Sequence, residues 1–186
     1  MTSSTPVLTA EIGKTHIDIV IGDITTLDVD VIVNAANEAL VRGGGVCGAI
    51  FRAAGPELDA ACARLGGCST GDAKMTDGFR LKARHIIHAV GPVWHGGDAN
   101  EDALLASCYR RALEITAANR LASIAFPAIS TGIYGFPGDR AARIATGAVV
   151  SELSAKAGSI KRVVLCCFDA RSGQHYVETF AELGLA

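Results

Sequence analysis

The sequence predicts a layered α/β domain built on a largely parallel sheet. Two observations carry this. Short runs rich in Val, Ile and Leu alternate with longer segments whose apolar residues recur at helical spacing. The short runs are close to apolar throughout, most clearly at residues 162–168, as strands buried on both faces are. A third observation bounds the size: 186 residues support one well-buried core and are too few for two typical domains.

The elements follow in order. Residues 7–12 and 15–21 are β-rich and joined at Gly13-Lys14, which suggests a hairpin. A strand follows at residues 30–34 and a helix at 45–54. Pro56 opens the next helix, where its missing N–H costs nothing, and Gly66-Gly67 stop it. Residues 72–76 form a short strand. Residues 85–90 form a clearer one, ended by Gly91-Pro92. A long helix starts at Asn100 or Glu101 and runs to Asn119, with Leu104, Leu105, Cys108, Ala112, Leu113 and Ile115 near helical period. The remaining elements are a strand at 123–127, a helix from Pro137 to about residue 155, the strand at 162–168 and a helix at 172–183. Residues 1–6 read as a flexible tail and 7–186 as the domain.

Bulk properties exclude several function classes. Net charge is -2 and no Lys/Arg block exists, so a strong field for nucleic acid is absent, although a local contact is compatible. No run approaches the roughly 18 apolar residues of a membrane span. Residues 1–6 lack a basic start and an apolar stretch, so a cytoplasmic location is expected. Cys47, Cys62, Cys68, Cys108, Cys166 and Cys167 form no C-x-x-C pair and are expected to be reduced. His16, His85, His88, His95 and His175 are scattered, so neither a metal nor another cofactor is expected, and His88 reads as a core histidine. No G-x-S-x-G elbow or Ser-His-Asp order is present.

In sheets of this kind ligands bind beyond the carboxyl ends of the strands. The polar signals sit there: Asp23, then Asn34 and Asn37, then Ser130-Thr131-Gly132, then Phe168-Asp169. The organising stretch is residues 31–55. A strand ends in two asparagines, and Gly43, Gly44 and Gly45 lead into a helix. A helix N-terminus preceded by bare glycine presents free N–H groups that suit an anion such as phosphate. Gly43-x-Gly45-x-x-Gly48 has the dinucleotide spacing. However, residues 35–42 separate it from the strand, and no acidic residue ends a second strand about 20 residues later, against a Rossmann oxidoreductase. Residues 130–135 are a plain connection or a second wall around a diphosphate. Asp23 caps the turn after it or accepts from an exocyclic amine. Phe168 is core or a stacking platform for a base. Tyr134 and Phe136 suit a lid or a rigid turn.

The motifs Gly22-Asp23-Ile24-Thr25, Val31 through Asn37, Gly43 through Val46, Arg52-Ala53-Ala54-Gly55-Pro56, Thr70-Gly71-Asp72-Ala73, Ile87 through Trp94, Leu105 through Arg110 and Ala125 through Gly135 stand in the order seen in the macrodomains. The chain resembles that family over nearly its whole length, and within it the MacroD-like class. The resemblance implies a single α/β/α three-layer domain with a mixed, largely parallel sheet and a crevice for ADP-ribose. It implies that Asp23 binds the adenine amine beside the Ile24 backbone, that Phe168 lies against the adenine, and that Asn37 holds the distal ribose, with Asn34 beside it in the same motif. Gly43, Gly44, Gly45 and Val46 would form one phosphate loop; Ser130, Thr131, Gly132, Ile133 and Tyr134 would form the other. The implied activity is removal of ADP-ribose from acidic side chains, or hydrolysis of O-acetyl-ADP-ribose. The implied partners are ADP-ribosylated protein or nucleic acid, and a monomer is expected.

Two positions depart from the family pattern. Cys47 stands where these hydrolases usually carry an aspartate that positions the attacking water, and Phe51 where they carry a supporting histidine. Asn37 and Cys47 are therefore the catalytic candidates. The ligand's own pyrophosphate, bent over the distal ribose, would stabilise the positive charge that develops there and hold the water. Cys47 is either a small neutral filler with Phe51 packed beside it, or an active thiol in the first turn of a helix. The alternative to a hydrolase is a reader that binds ADP-ribose without turning it over.

Overall fold

Leu8–Ile12 (β1) and Thr15–Ile21 (β2) form the expected antiparallel hairpin, turning at Gly13, whose φ of +61° suits glycine. A computed structural model describes residues 4–186; residues 1–3 of the expected tail lie outside the described residues, and residues 4–6 carry no regular structure. The chain continues through Val31–Ala35 (β3), Gly45–Ala54 (α1), Glu57–Leu65 (α2), Ala73–Asp77 (β4) and His85–Ala89 (β5). It ends with Glu101–Ala118 (α3), Ser123–Phe126 (β6), Gly138–Lys156 (α4), Arg162–Cys167 (β7) and Ala170–Glu182 (α5). No helix among the described residues is long and apolar enough to cross a membrane.

The seven strands form one sheet in the order β1-β2-β7-β6-β3-β5-β4. The four inner pairings, β2/β7, β7/β6, β6/β3 and β3/β5, are parallel; the outer ones, β1/β2 and β4/β5, are antiparallel. The sheet is thus mixed and largely parallel. Side chains of a strand alternate between faces, and here both faces are apolar. Val31 and Val33 of β3 join one core with Leu105, Tyr109, Val149 and Phe180 from α3, α4 and α5. Ile32 between them joins the other core, with Ile50, Phe51 and Leu58 from α1 and α2. These are the three layers.

Two details differ from expectation. A single 3-10 turn, Ile24–Thr26, follows Asp23. The last helix begins at Ala170, two residues early, because the Asp169 side chain caps it by accepting from the Ser172 N–H at 2.8 Å.

Candidate functional site

Three strand ends converge on one cavity of about 280 Å³. The segment after β3 contributes Asn37, Gly43, Gly44, Gly45, Val46 and Cys47; the segment after β6 contributes Ser130, Gly132, Ile133 and Tyr134. Ten sequence-derived site residues therefore share one wall or its opposite. Ala35, Ala36, Gly91, Ala128 and Ile129 also line it. Sequence reasoning did not single these out, although the Gly91-Pro92 strand stop pointed to one of them.

The glycine wall is a helix start without a side-chain cap. Gly44 is the N-cap of α1 and Gly45 has φ +56°, so the first-turn N–H groups have no side chain to satisfy them. They carry the positive end of the helix dipole at the mouth of the cavity. A Cβ on Gly44 would sit 3.3 Å from Cδ1 of Ile133, so the two loops nearly touch there.

The facing loop is held from both sides. The Phe136 N–H donates to the Ser130 carbonyl at 2.9 Å, the Gly135 N–H to the Gly132 carbonyl at 3.0 Å, and the Trp94 N–H to the Tyr134 carbonyl at 2.8 Å. The N–H groups of Gly132, Ile133 and Tyr134 make no hydrogen bond among the described residues. Ser130 is a non-glycine residue at φ +66°, and its buried hydroxyl has no partner among the described residues. Strained backbone and an orphaned donor thus stand together at the cavity wall, where the hydroxyl is free to donate to an oxygen brought into the cavity. Thr131 lies off the wall, with its hydroxyl donating to the Ala128 carbonyl at 2.8 Å. Phe136 is buried and packs on Trp94, with ring centroids 4.7 Å apart, whereas Ile133 is 87% exposed.

Asn37 closes its own loop. Its Oδ1 accepts from the Val41 N–H at 3.1 Å and its Nδ2 donates to the Val41 carbonyl at 2.9 Å. The Cys47 thiol donates to the same carbonyl, at 3.7 Å, and accepts from Asn34 Nδ2, also at 3.7 Å. Asn34 is buried behind Cys47 and is not on the cavity wall. Phe51 does not reach the cavity either. It is buried in the core that α1 and α2 form against the sheet, with the Arg42 guanidinium 5.6 Å from its ring centroid and bonded in a fork to Asp59 at 2.8 and 2.6 Å.

The other three residues stand on the neighbouring strand ends. Gly22 N–H donates to the Cys167 carbonyl at 2.9 Å, which sets Asp23 beside the end of β7. Asp23 caps the turn through Oδ1, accepting from the N–H and hydroxyl of Thr25 at 2.9 and 2.7 Å. Ile24 is buried. Phe168 is 89% exposed, which removes the core reading and leaves an open aromatic face. In the sheet order β2-β7-β6-β3, these residues stand in one band along the same carboxyl edge as the cavity, and they are not among its lining residues.

All six cysteines are free and buried. Burial pushes the thiols of Cys62 to about 11 and of Cys108, Cys166 and Cys167 to about 12, which makes them inert. Among the described residues no group of His, Cys, Asp or Glu side chains is arranged to hold a metal.

Comparison with known proteins follows the same lines. The O-acetyl-ADP-ribose deacetylase of Klebsiella pneumoniae is 51% identical over 163 residues, 86% of this chain and 93% of that one. An Oceanobacillus iheyensis macrodomain with ADP superposes with a TM-score of 0.91 at 42% identity, covering 95% of each chain. A Trypanosoma brucei macrodomain in complex with ADP-ribose gives 0.86 at 38% identity, covering 96% of this chain and 75% of that one. A family model described as "Macro domain" matches residues 33–145, so the chain belongs to the Macro domain family.

Proposed function

We propose that the protein binds ADP-ribose along the carboxyl edge of its sheet and hydrolyses ADP-ribosyl groups, or their acyl esters, from modified macromolecules. The observation that carries this reading is the pair of loops with unpaired N–H groups on opposite walls of one cavity. Two such walls suit a diphosphate, whose oxygens accept from both. The band then offers Phe168 and Asp23 on one side, for a base and its exocyclic amine, and Asn37 on the other, for the distal ribose. The relatives whose names specify O-acetyl-ADP-ribose deacetylation or ADP-ribose binding support the same ligand.

The chemistry follows from the charge that develops. For an ADP-ribosyl group on a side chain, breaking the bond at the anomeric carbon leaves positive charge on the distal ribose, which the pyrophosphate held above it stabilises. For O-acetyl-ADP-ribose the water adds to the acetyl carbon and the ribose oxygen leaves with a proton. In both the bound ligand orients the water. Cys47 carries no carboxylate, so a general base worth about 10²–10⁴-fold is missing. Positioning by Asn37, the glycine wall and residues 130–134 does the work instead, with Cys47 as a neutral wall residue beside the water. The substrates are ester-type linkages on acidic side chains, with ADP-ribosylated nucleic acid as a second class. The reading keeps the protein a monomer acting in the cytoplasm.

The absence of a carboxylate at Cys47 and of an imidazole at Phe51 favours a second reading, a reader of ADP-ribose without turnover. One experiment separates them. The protein is titrated with ADP-ribose in a calorimeter, then incubated with an ADP-ribosylated acidic peptide, O-acetyl-ADP-ribose and ADP-ribosylated DNA. Binding with release of ADP-ribose or acetate is expected. Binding without release from any substrate leaves the reader, and no binding removes both.

A further inference from the structure

A buried polar chain behind Cys47 is not used by the hydrolysis proposed above. Asn34 of β3 and His88 of β5 are register partners, and both are buried, at 1% and 0% exposure. His88 Nδ1 lies 3.1 Å from Asn34 Nδ2, and the same amide nitrogen lies 3.7 Å from Cys47 Sγ. On its far side His88 Nε2 meets Thr76 Oγ1 at 2.9 Å and Cys62 Sγ at 3.7 Å. Asn34 Oδ1 has no partner among the described residues.

The orientation of the Asn34 amide decides what this chain does. As placed, Nδ2 has a partner for each of its two N–H bonds and one carbonyl oxygen is left alone. The flipped amide would pair the oxygen and strand two buried N–H donors, which costs more. The amide therefore presents N–H to both neighbours. An amide nitrogen only donates, so His88 Nδ1 accepts and the ring proton sits on Nε2, donating to Thr76. Burial lowers His88 to about 4, so the ring is neutral near pH 7 and this arrangement persists. Cys47 Sγ thus receives an N–H from behind and gives its own hydrogen to the Val41 carbonyl. What the sulfur has left is lone-pair density facing the cavity that it lines.

We propose that His88 is a positioning residue of this site: through Asn34 it fixes Cys47 as a hydrogen-bond acceptor toward the cavity, where the sulfur orients the water that attacks the bound ester. This rests on the hydrolase reading for the water, but the effect on the sulfur is measurable without turnover. The N–H at its back holds the sulfur toward the cavity, so the rate at which iodoacetamide labels Cys47 reports the contact.

The test compares wild type with His88→Gln, which keeps an acceptor for Asn34, and His88→Leu, which keeps bulk and loses it. Labelling of Cys47 is followed at pH 7.5 by peptide mass spectrometry, with kcat and KM on O-acetyl-ADP-ribose and the Kd for ADP-ribose measured in parallel. In His88→Leu, labelling and kcat are each expected to fall about tenfold, with KM and Kd within about twofold, and His88→Gln to recover both to within about threefold. Equal losses in the Leu and Gln variants would mean packing alone and overturn the proposal, as would unchanged labelling in His88→Leu. If His88→Leu does not fold, Thr76→Val frees the ring to carry its proton on Nδ1 and is expected to slow labelling; an unchanged rate there overturns the proposal equally. Loss of ADP-ribose binding by the wild type would defeat the functional reading, while the labelling series would still decide the role of His88.

Discussion

At the scale of single residues the question is Cys47. It occupies the first turn of α1, 5% exposed, with Asn34 Nδ2 at its back. A carboxylate at this position would meet the positive end of the helix and a ready amide donor, so it could stay ionised beside the cavity. Cys47→Asp is therefore expected to raise turnover of O-acetyl-ADP-ribose at least tenfold, the low end of what a general base supplies being about 10²-fold and the absent histidine limiting the gain. Acetate release per enzyme, measured against wild type at saturating substrate, checks it; equal rates would show that no water within reach of position 47 is the nucleophile. Phe51 offers no such route, since its ring is roofed by Arg42 and turned into the core. The inward turn of Asn34 was half legible. Parity along β3 puts Asn34 on the face of Ile32, and parity along β5 puts His88 on the face of Ile86, both against α1 and α2. The sequence shows the parity but not which layer each face meets, so an asparagine at a strand end reads as a ligand when its amide points behind the wall.

At the scale of elements, two loops make the site and a third braces them. Glu101, buried at the start of α3, accepts from the N–H groups of His95, Gly97 and Ala99 at 2.9, 3.2 and 2.7 Å. Burial alone would raise its pKa, but these backbone donors together outweigh it and hold the carboxyl at about 2. The loop so fixed carries Trp94, whose N–H holds the Tyr134 carbonyl. The glycine wall was readable because a bare helix start has a composition signature. The brace was not, because a carboxylate bonded to backbone leaves none. Gly91 is the tightest point of this arrangement. A Cβ there would stand 2.1 Å from Ser130 Oγ and 2.6 Å from Ile129 Cγ2, closer than atoms can approach. Gly91→Ala must displace the Ser130 hydroxyl and the Ile129 side chain behind the wall, and it is expected to weaken ADP-ribose binding at least tenfold by calorimetry. Affinity within twofold of wild type would mean that the 130–134 wall does not hold the ligand.

At the scale of the molecule, the layered order was legible and the pairing at the edges only partly so. Alternating strands and helices dictate parallel neighbours, since each crossover returns the chain to the same edge. Residues 78–84 hold no helix, and the chain there turns back on itself, with the Gly78 N–H donating to the Arg84 carbonyl at 2.8 Å, so β4 runs antiparallel to β5. That turn also seats His88 under β4, and the burial has a consequence for the whole fold. The native ring titrates at about 4, against 6.5 for an unfolded chain. The unfolded state therefore binds more protons in this window, and stability must fall as pH falls through it. The loss begins near pH 6.5 and is complete below about 4. Between pH 6.5 and 4.5 it amounts to about 2 kcal/mol at 1.36 kcal/mol per unit. The carboxylates with lowered pKa, Asp72 and Glu101 among them, begin to lose their contribution only as the unfolded carboxylate range is reached, so the upper part of this window, above about pH 5, isolates histidine. Urea unfolding of wild type and His88→Gln at pH 7, 6 and 5 is expected to show a steep decline in the wild type and a nearly flat profile in the variant. Parallel profiles would mean that His88 takes up its proton in the native state and that the buried chain opens when it does.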